Sequence, residues 1–180
     1  DVIEIKLTGG GAFGTGEHVT TRMCSIKCLE IVEGLLESDN APISVLDYGA
    51  GSGLISLACL TADRAKGRVA TFGVEVDRTA VYAGRENAEL NGLSKGDVES
   101  LSEEMSGSFK LVVANILAGS LLELHDTLAK YCAAGGDLVL SGVLETQAEE
   151  VVEVYEKGGF TGMRIERVED GWAMITGKRR

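Results

Sequence analysis

The sequence predicts an α/β fold: a doubly wound, seven-stranded, mostly parallel sheet with helices on both faces and an antiparallel hairpin at its C-terminal end. Three observations carry that expectation. Short apolar runs of strand length alternate with stretches of helical apolar spacing almost from end to end. The connections between them are short, as they are when successive strands are joined by helices that pack back onto one sheet. The last two runs, TGMRIERVED and GWAMITGK, meet at Asp170-Gly171, a dipeptide suited to a two-residue hairpin.

Taken in order, DVIEIKLT alternates like a strand and leads into a glycine loop, GGGAFGTGEH. TTRMCSIKCLEIVEGLL follows, with Met23, Ile26, Leu29, Val32 and Leu36 at helical spacing. Pro42 breaks that segment, and ISVLDYG reads as a buried strand. Residues 53–63 are helical, RVATFGVEVD is the second strand, and 78–91 form a helix that stops near Asn91-Gly92. DVESL is a weak third strand and FKLVVANIL a strong fourth. Residues 119–132 are helical, GGDLVLSGVL is the fifth strand, and 145–158 form a helix closed by Gly158-Gly159.

Composition bounds the class. With 180 residues, 44% hydrophobic and 25% charged, the chain fits one globular domain, here residues 1–180. No apolar run approaches the ~20 residues of a membrane span. A net charge of −11 repels nucleic acid and suits a basic partner. Cys24 and Cys28 share a helix face, and with only His18 and His125 available they read as small buried hydrophobes. Without a disulfide framework, a reducing compartment is expected.

Three motifs carry chemistry. In VLDYGAGSGLISLA a buried strand runs through Asp47 into Gly49, Gly51 and Gly53, then a helix. Such a turn lets a ligand rest against backbone. A dinucleotide fingerprint would need Gly at position 54, which is Leu54, and a carboxylate at Asp47 repels pyrophosphate but suits a cation. In GVEVD, Glu75 ends the next strand 24 residues beyond Gly51, where a carboxylate accepts ribose hydroxyls. Asp77 there reads as a helix cap. In VVANIL, Asn115 ends the fourth strand with an amide that both donates and accepts, either to a ligand or as a helix cap.

Together these motifs resemble class I S-adenosylmethionine-dependent methyltransferases, with their Rossmann-like sheet, and more narrowly the PrmA family, which methylates a protein at the stalk base of the large ribosomal subunit. The resemblance rests on AFGTGEHVTT, VLDYGAGSGLIS, GVEVD, VANILAGSLLEL, GGDLVLSGVLETQAEEV and the closing GW-x-M-I-T-G-K, nearly the whole chain. It implies an amine methyltransferase acting on a lysine side chain or an N-terminal amine, with S-adenosylmethionine as cofactor and S-adenosylhomocysteine as product. It also implies cofactor contacts at Thr21, Gly49, Glu75 and Asn115. The family has Asp where this chain has Glu75, and Pro where it has Val19. Its members carry an N-terminal substrate-recognition domain to which nothing in residues 1–180 corresponds. The implied partner is a basic ribosomal protein, without direct nucleic-acid or membrane contact. The implied location is the cytoplasm, or an organelle if a targeting peptide lies upstream.

Within that frame, Asp47 and the glycine turn face the methionine end of the cofactor, and Asn115 faces the acceptor nitrogen. Glu17 and His18 are the only titratable groups in the opening loop. Each is a candidate for proton transfer, with His18 alternatively fixing the loop by hydrogen bonding. The loop lacks the Lys-Ser/Thr of a phosphate cradle. It is expected to be a flap, with Phe13, Gly14, Thr15 and Gly16 approaching the cofactor and Phe13 excluding water. Competing readings are a different acceptor, an inactive cofactor-binding scaffold, and a nicotinamide oxidoreductase, which Leu54 disfavours.

Overall fold

A computed structural model describes residues 4–8, 14–38, 40–63, 67–92, 98–100 and 107–180. Helices α1 (Val19–Ser38), α2 (Leu54–Thr61), α3 (Arg78–Leu90), α4 (Ala118–Glu123), α5 (His125–Tyr131) and α6 (Ala148–Lys157) alternate with seven strands. These are β1 (Ile43–Tyr48), β2 (Val69–Glu75), β3 (Val98–Ser100), β4 (Phe109–Asn115), β5 (Cys132–Leu144), β6 (Phe160–Glu169) and β7 (Trp172–Arg179). They form one sheet in the order β3-β2-β1-β4-β5-β7-β6, parallel except for β7, which runs antiparallel to both β5 and β6. The sheet is the expected one.

Side-chain alternation divides each central strand between two cores. Leu46 and Tyr48 of β1, Val112 and Ala114 of β4, and Leu138 and Leu140 of β5 pack with Leu121, Leu128, Val151 and Tyr155 from α4, α5 and α6. Their strand neighbours Val45, Leu111, Val113 and Val139 face the other way, onto α1 and α2. Both faces are therefore covered, and the central strands read as unbroken apolar runs for that reason. Each fully buried Leu or Val contributes roughly 1.5–3 kcal/mol.

Four expectations are corrected. The opening strand is not one: residues 4–8 carry no strand pairing. Their ladder partners are side chains, since Lys6 N–H donates to Asn91 Oδ1 (3.0 Å) and Asn91 Nδ2 donates back to the Lys6 carbonyl (2.7 Å). In α1, Met23, Val32, Cys24 and Cys28 are buried as expected, with Thr21 beside them, whereas Ile26 is 52% exposed. Spacing by three drifts around a helix of 3.6 residues per turn, and the small cysteines let α1 sit close to the sheet. The helix expected over 119–132 breaks at Leu124 (φ −94°, ψ 5°), where His125 Nδ1–H donates to the Leu122 carbonyl at 2.9 Å, and β5 already begins at Cys132. The helix expected from 145 begins as a 3₁₀ turn, Glu145–Gln147, before α6.

Two turns behave as their residues dictate. Asp170 (φ 52°) and Gly171 (φ 76°) are both left-handed, as a two-residue hairpin between twisted strands requires. Asp77 Oδ1 accepts from Thr79 N–H at 2.8 Å and caps α3. Strand order reverses at β1, which pairs with β2 on one side and β4 on the other. The crevice beyond the carboxyl ends of β1 and β4 is thus where ligands bind in such sheets.

Candidate active site

The glycine turn after β1 is held by the next strand. Gly49 and Ala50 N–H both donate to the Val74 carbonyl (2.8 and 3.0 Å). Glu75 then closes the turn with its side chain. Its Oε2 accepts from Gly51 N–H (3.0 Å), and its Oε1 accepts from Val76 and Asp77 N–H (2.8 and 3.1 Å). Gly49, Gly51 and Gly53 have φ of 79°, 52° and 77°. Gly49 is additionally a steric necessity, because a Cβ there would lie 2.5 Å from Ile116 Cγ2. A cavity of about 430 Å³ opens on this turn, lined by Tyr48, Gly51, Glu75, Val76, Asn115 and Ile116 among others.

Asp47, one position before this edge, is buried (1% exposed) on the α1/α2 side. Its Oδ2 accepts from Ser56 N–H (3.2 Å) and Ser56 Oγ–H (2.9 Å), while Oδ1 has no partner. Burial pushes its carboxyl up to about 6; the Ser56 bonds oppose that rise and the Glu75 charge adds to it.

At the end of β4, Asn115 Nδ2 donates to Thr21 Oγ1 at 3.3 Å, and its buried Oδ1 has no partner. Asn115 also lines a second cavity, of about 370 Å³, with His18, Leu117, Gly142 and Trp172. His18 is held there through its ring. Its Nδ1 is 2.8 Å from Thr20 Oγ1, and its ring meets the Trp172 ring edge-on at 5.0 Å. The opening loop packs on the glycine turn: Ser52 Oγ–H donates to the Gly14 carbonyl (2.6 Å), and a Cβ on Gly16 would be 3.1 Å from Leu54 Cδ2.

Residues 1–180 match the family of ribosomal protein L11 methyltransferases (PrmA). The chain belongs to that family. It is 40% identical over 180 residues to the ribosomal protein L11 methyltransferase of Mannheimia succiniciproducens, covering 99% of this chain and 57% of that protein. Against the enzyme of the same name from Chromobacterium violaceum it is 37% identical, covering all of this chain and 56% of that one. The chain thus spans about half the length of these relatives. Among solved structures, the ribosomal protein L11 methylase of Lactobacillus delbrueckii subsp. bulgaricus is similar with a TM-score of 0.78 and 27% identity over 98% of this chain and 85% of that one. PigF with SAH, at a TM-score of 0.60 and 16% identity, shares the fold alone.

In this member of the L11 methyltransferase family, the geometry gathers Gly49, Gly51, Glu75, Asn115 and His18 around the two cavities, while Thr21 is buried, lines neither and accepts from Asn115. Asp47 lies beneath the turn and lines neither, and Gly53 is the left-handed cap of α2. Gly14 lies against Ser52 of the glycine turn and Gly16 against Leu54 at the start of α2; Gly14, Thr15 and Gly16 line neither cavity. Glu17 is exposed and lines neither cavity; its carbonyl accepts from Arg22. Phe13 lies outside the described residues. Sequence reasoning missed Trp172, Gly142 and Asn87. Asn87 (1% exposed) accepts from Thr8 N–H (2.7 Å) and Oγ1–H (3.1 Å) and donates from Nδ2 to the Ser52 carbonyl (2.8 Å). A buried amide inside a helix, so close to the Asn91-Gly92 stop, was the signal available for it.

Proposed function

We propose that the chain is the catalytic part of an S-adenosylmethionine-dependent protein N-methyltransferase, acting on amine nitrogens of the stalk-base protein of the large ribosomal subunit. The observation that carries this reading is the junction at Asn115. Asn115, Ile116 and Ser120 line both the glycine-turn cavity and the second cavity, so the two sites adjoin, and Asn115 brings an amide to their junction. Displacement at a methyl group needs such an arrangement, with the acceptor held on the far side of the methyl from its leaving group.

The residues present fit the cofactor. Glu75 uses three of roughly four acceptor positions on backbone N–H groups, which leaves capacity for a ribose hydroxyl. Gly49 and Gly51, both left-handed, line the cavity with backbone that carries no side chain, and Asn115 Oδ1 is a buried acceptor with no partner among the described residues. The bound cofactor supplies an electrophilic methyl on a sulfonium, and its leaving group is S-adenosylhomocysteine.

The acceptor must arrive neutral, since a lysine amine has a pKa of about 10.4 and an α-amine about 8. Ile116, Leu117 and Trp172 around the second cavity provide the means, because apolar surroundings disfavour the ammonium and return its proton to water. Asn115 Oδ1 then accepts an amine N–H and turns the lone pair toward the methyl. His18, tied to Thr20 and stacked on Trp172, shapes the wall of that cavity. The negative charge of −11 supports a basic protein partner, and a cytoplasmic setting accompanies a ribosomal one.

Calorimetry with S-adenosylmethionine against NAD tests the cofactor, and only the former should bind. Full-length protein incubated with labelled cofactor and ribosomal protein then tests the acceptor. Label confined to a small-molecule fraction would instead assign a different acceptor.

A further inference from the structure

A third cavity, of about 480 Å³, adjoins the second and shares Leu117, Ser120, Gly142 and Trp172 with it. It leads away from Asn115 toward Leu144, Gln147 and Glu123. Two features of its rim need an explanation. Leu117 is 69% exposed and Leu144 43% exposed, two of the eight large apolar side chains exposed among the described residues. Leu144 is held at the rim by bonds at its own N–H and at that of the next residue. Leu144 N–H donates to Gln147 Oε1 (3.1 Å), and Glu145 N–H donates to the Gly171 carbonyl (2.9 Å), which ties the strand end to the hairpin.

Charge around this rim is one-sided. Glu123 lines the cavity, and Glu145 follows Leu144; both are exposed. Neither is ion-paired among the described residues, whereas Asp137, Glu166 and Glu169 elsewhere on the sheet each hold a Lys or Arg. No Lys or Arg lines any of the three cavities at this edge. The groove lined by Ile31 and Thr161 is balanced instead, with Lys27, Arg164 and Lys178 in its walls each paired to a carboxylate.

We infer that the third cavity is the docking groove for the segment that carries the acceptor amine. Its occupant is an extended peptide with a lysine whose aliphatic stem crosses Leu117 and Trp172, and with basic neighbours that face Glu123 and Glu145. The inference rests on the proposed methyltransferase reading and adds where, and by what chemistry, the substrate is selected. Apolar walls take up the stem, and unpaired carboxylates favour cationic flanks while raising the encounter rate.

Trp172 is the single tryptophan of the chain and lines the groove, so its emission reports occupancy without turnover. The probes are two nonapeptides with one central lysine, flanked by arginines in one and by glutamates in the other, titrated into the full-length protein. The arginine peptide should shift Trp172 emission and bind at least about tenfold more tightly, an advantage that shrinks in high salt. Glu123→Lys should remove most of that advantage. Leu144→Ser, at an exposed position, should weaken the arginine peptide about tenfold while cofactor affinity by calorimetry stays at the wild-type value. Equal binding of the two peptides, or no change in Leu144→Ser, overturns the groove. If the cofactor binds and methyl transfer proceeds under that outcome, the methyltransferase reading survives it. If no cofactor binds, that reading fails, and the groove's assignment as a substrate site fails with it.

Discussion

The two halves of the site are built differently. On the cofactor side, the turn from Gly49 to Gly53 and the strand end at Glu75 are short contiguous motifs, and almost every polar group is tied to nearby backbone. On the acceptor side, His18, Asn115, Gly142 and Trp172 come from four separate segments and meet only in the folded sheet. The first half is a local solution that any chain of this fold can repeat. The second exists only because β7 is inserted antiparallel between β5 and β6, which carries Trp172 to the edge where β4 ends.

The largest expected effect breaks the acceptor side at its backbone. Gly142 (φ 82°) sits at a register shift of β5 against β7, and a Cβ there would run into the Ile116 carbonyl. Gly142→Ala should lose about 4 kcal/mol of stability, from left-handed strain and a clash with backbone that has nowhere to move. Gly49→Ala meets only the Ile116 Cγ2 methyl, at 2.5 Å, and should lose less. Urea unfolding of both variants checks the order. If Gly49→Ala is the more damaging, the cofactor side is the stiffer of the two.

Next comes the residue that joins the halves. Asn115→Ala should lower methyl transfer about 10²-fold, since misplacing a reacting group typically costs that much. Affinity for S-adenosylmethionine should change only a few-fold, because Glu75 and the glycine turn remain. Single-turnover transfer and calorimetry on the same variant separate the two quantities. Wild-type transfer would remove Asn115 from the reaction.

How much of this was legible in the sequence follows the same division. Gly49, Gly51 and Glu75 announce themselves because their spacing is set within one strand-turn-helix unit and the next strand; Asp47 shares that spacing, but its burial beneath the turn was not legible. Asn115 is legible through its place at a strand end. Trp172 and Gly142 are not, since nothing local distinguishes a site-lining Trp from a core one, and the bulge that demands Gly142 depends on the register of a strand some thirty residues on. The opening segment differs for a related reason. Its alternation is compatible with a strand, but in its described part Asn91, at the C-terminal cap of α3, and Asn87 bond the backbone of Lys6 and Thr8 instead.

A third effect concerns Asp47, the acidic group nearest the turn that lines no cavity. Its folded carboxyl is raised from the usual 3.8 to about 6. Below 3.8 both folded and unfolded states hold the proton, and Asp47 contributes nothing to pH dependence. Between the two values the folded state keeps a proton that the unfolded state has lost, so stability falls as pH rises. Above 6 the buried charge carries its full penalty, on the order of 2–3 kcal/mol. Asp47→Asn should therefore gain stability relative to the parent as pH rises from 4 to 7, measured by urea unfolding across that range. A difference that stays flat would mean that Asp47 ionises as freely in the folded state as in the unfolded one.

The smallest effect decides what His18 does. Its Nδ1 is engaged with Thr20 Oγ1 and its ring is braced on Trp172, which describes a group that holds the wall of the acceptor cavity. A short Asn side chain places its Oδ1 near the position of Nδ1, keeps the Thr20 contact and cannot transfer a proton at neutral pH. His18→Asn should consequently retain transfer within about tenfold of the parent, whereas a general acid or base contributes typically 10²–10⁴-fold. His18→Ala, which loses both contacts, should raise KM for the protein acceptor more than it lowers kcat. The pH profile is the sharper readout. If His18 positions, the profile of His18→Asn keeps its rising limb, because that limb belongs to deprotonation of the acceptor amine. Loss of that limb would make His18 the proton acceptor, and the acceptor side would then supply chemistry as well as shape.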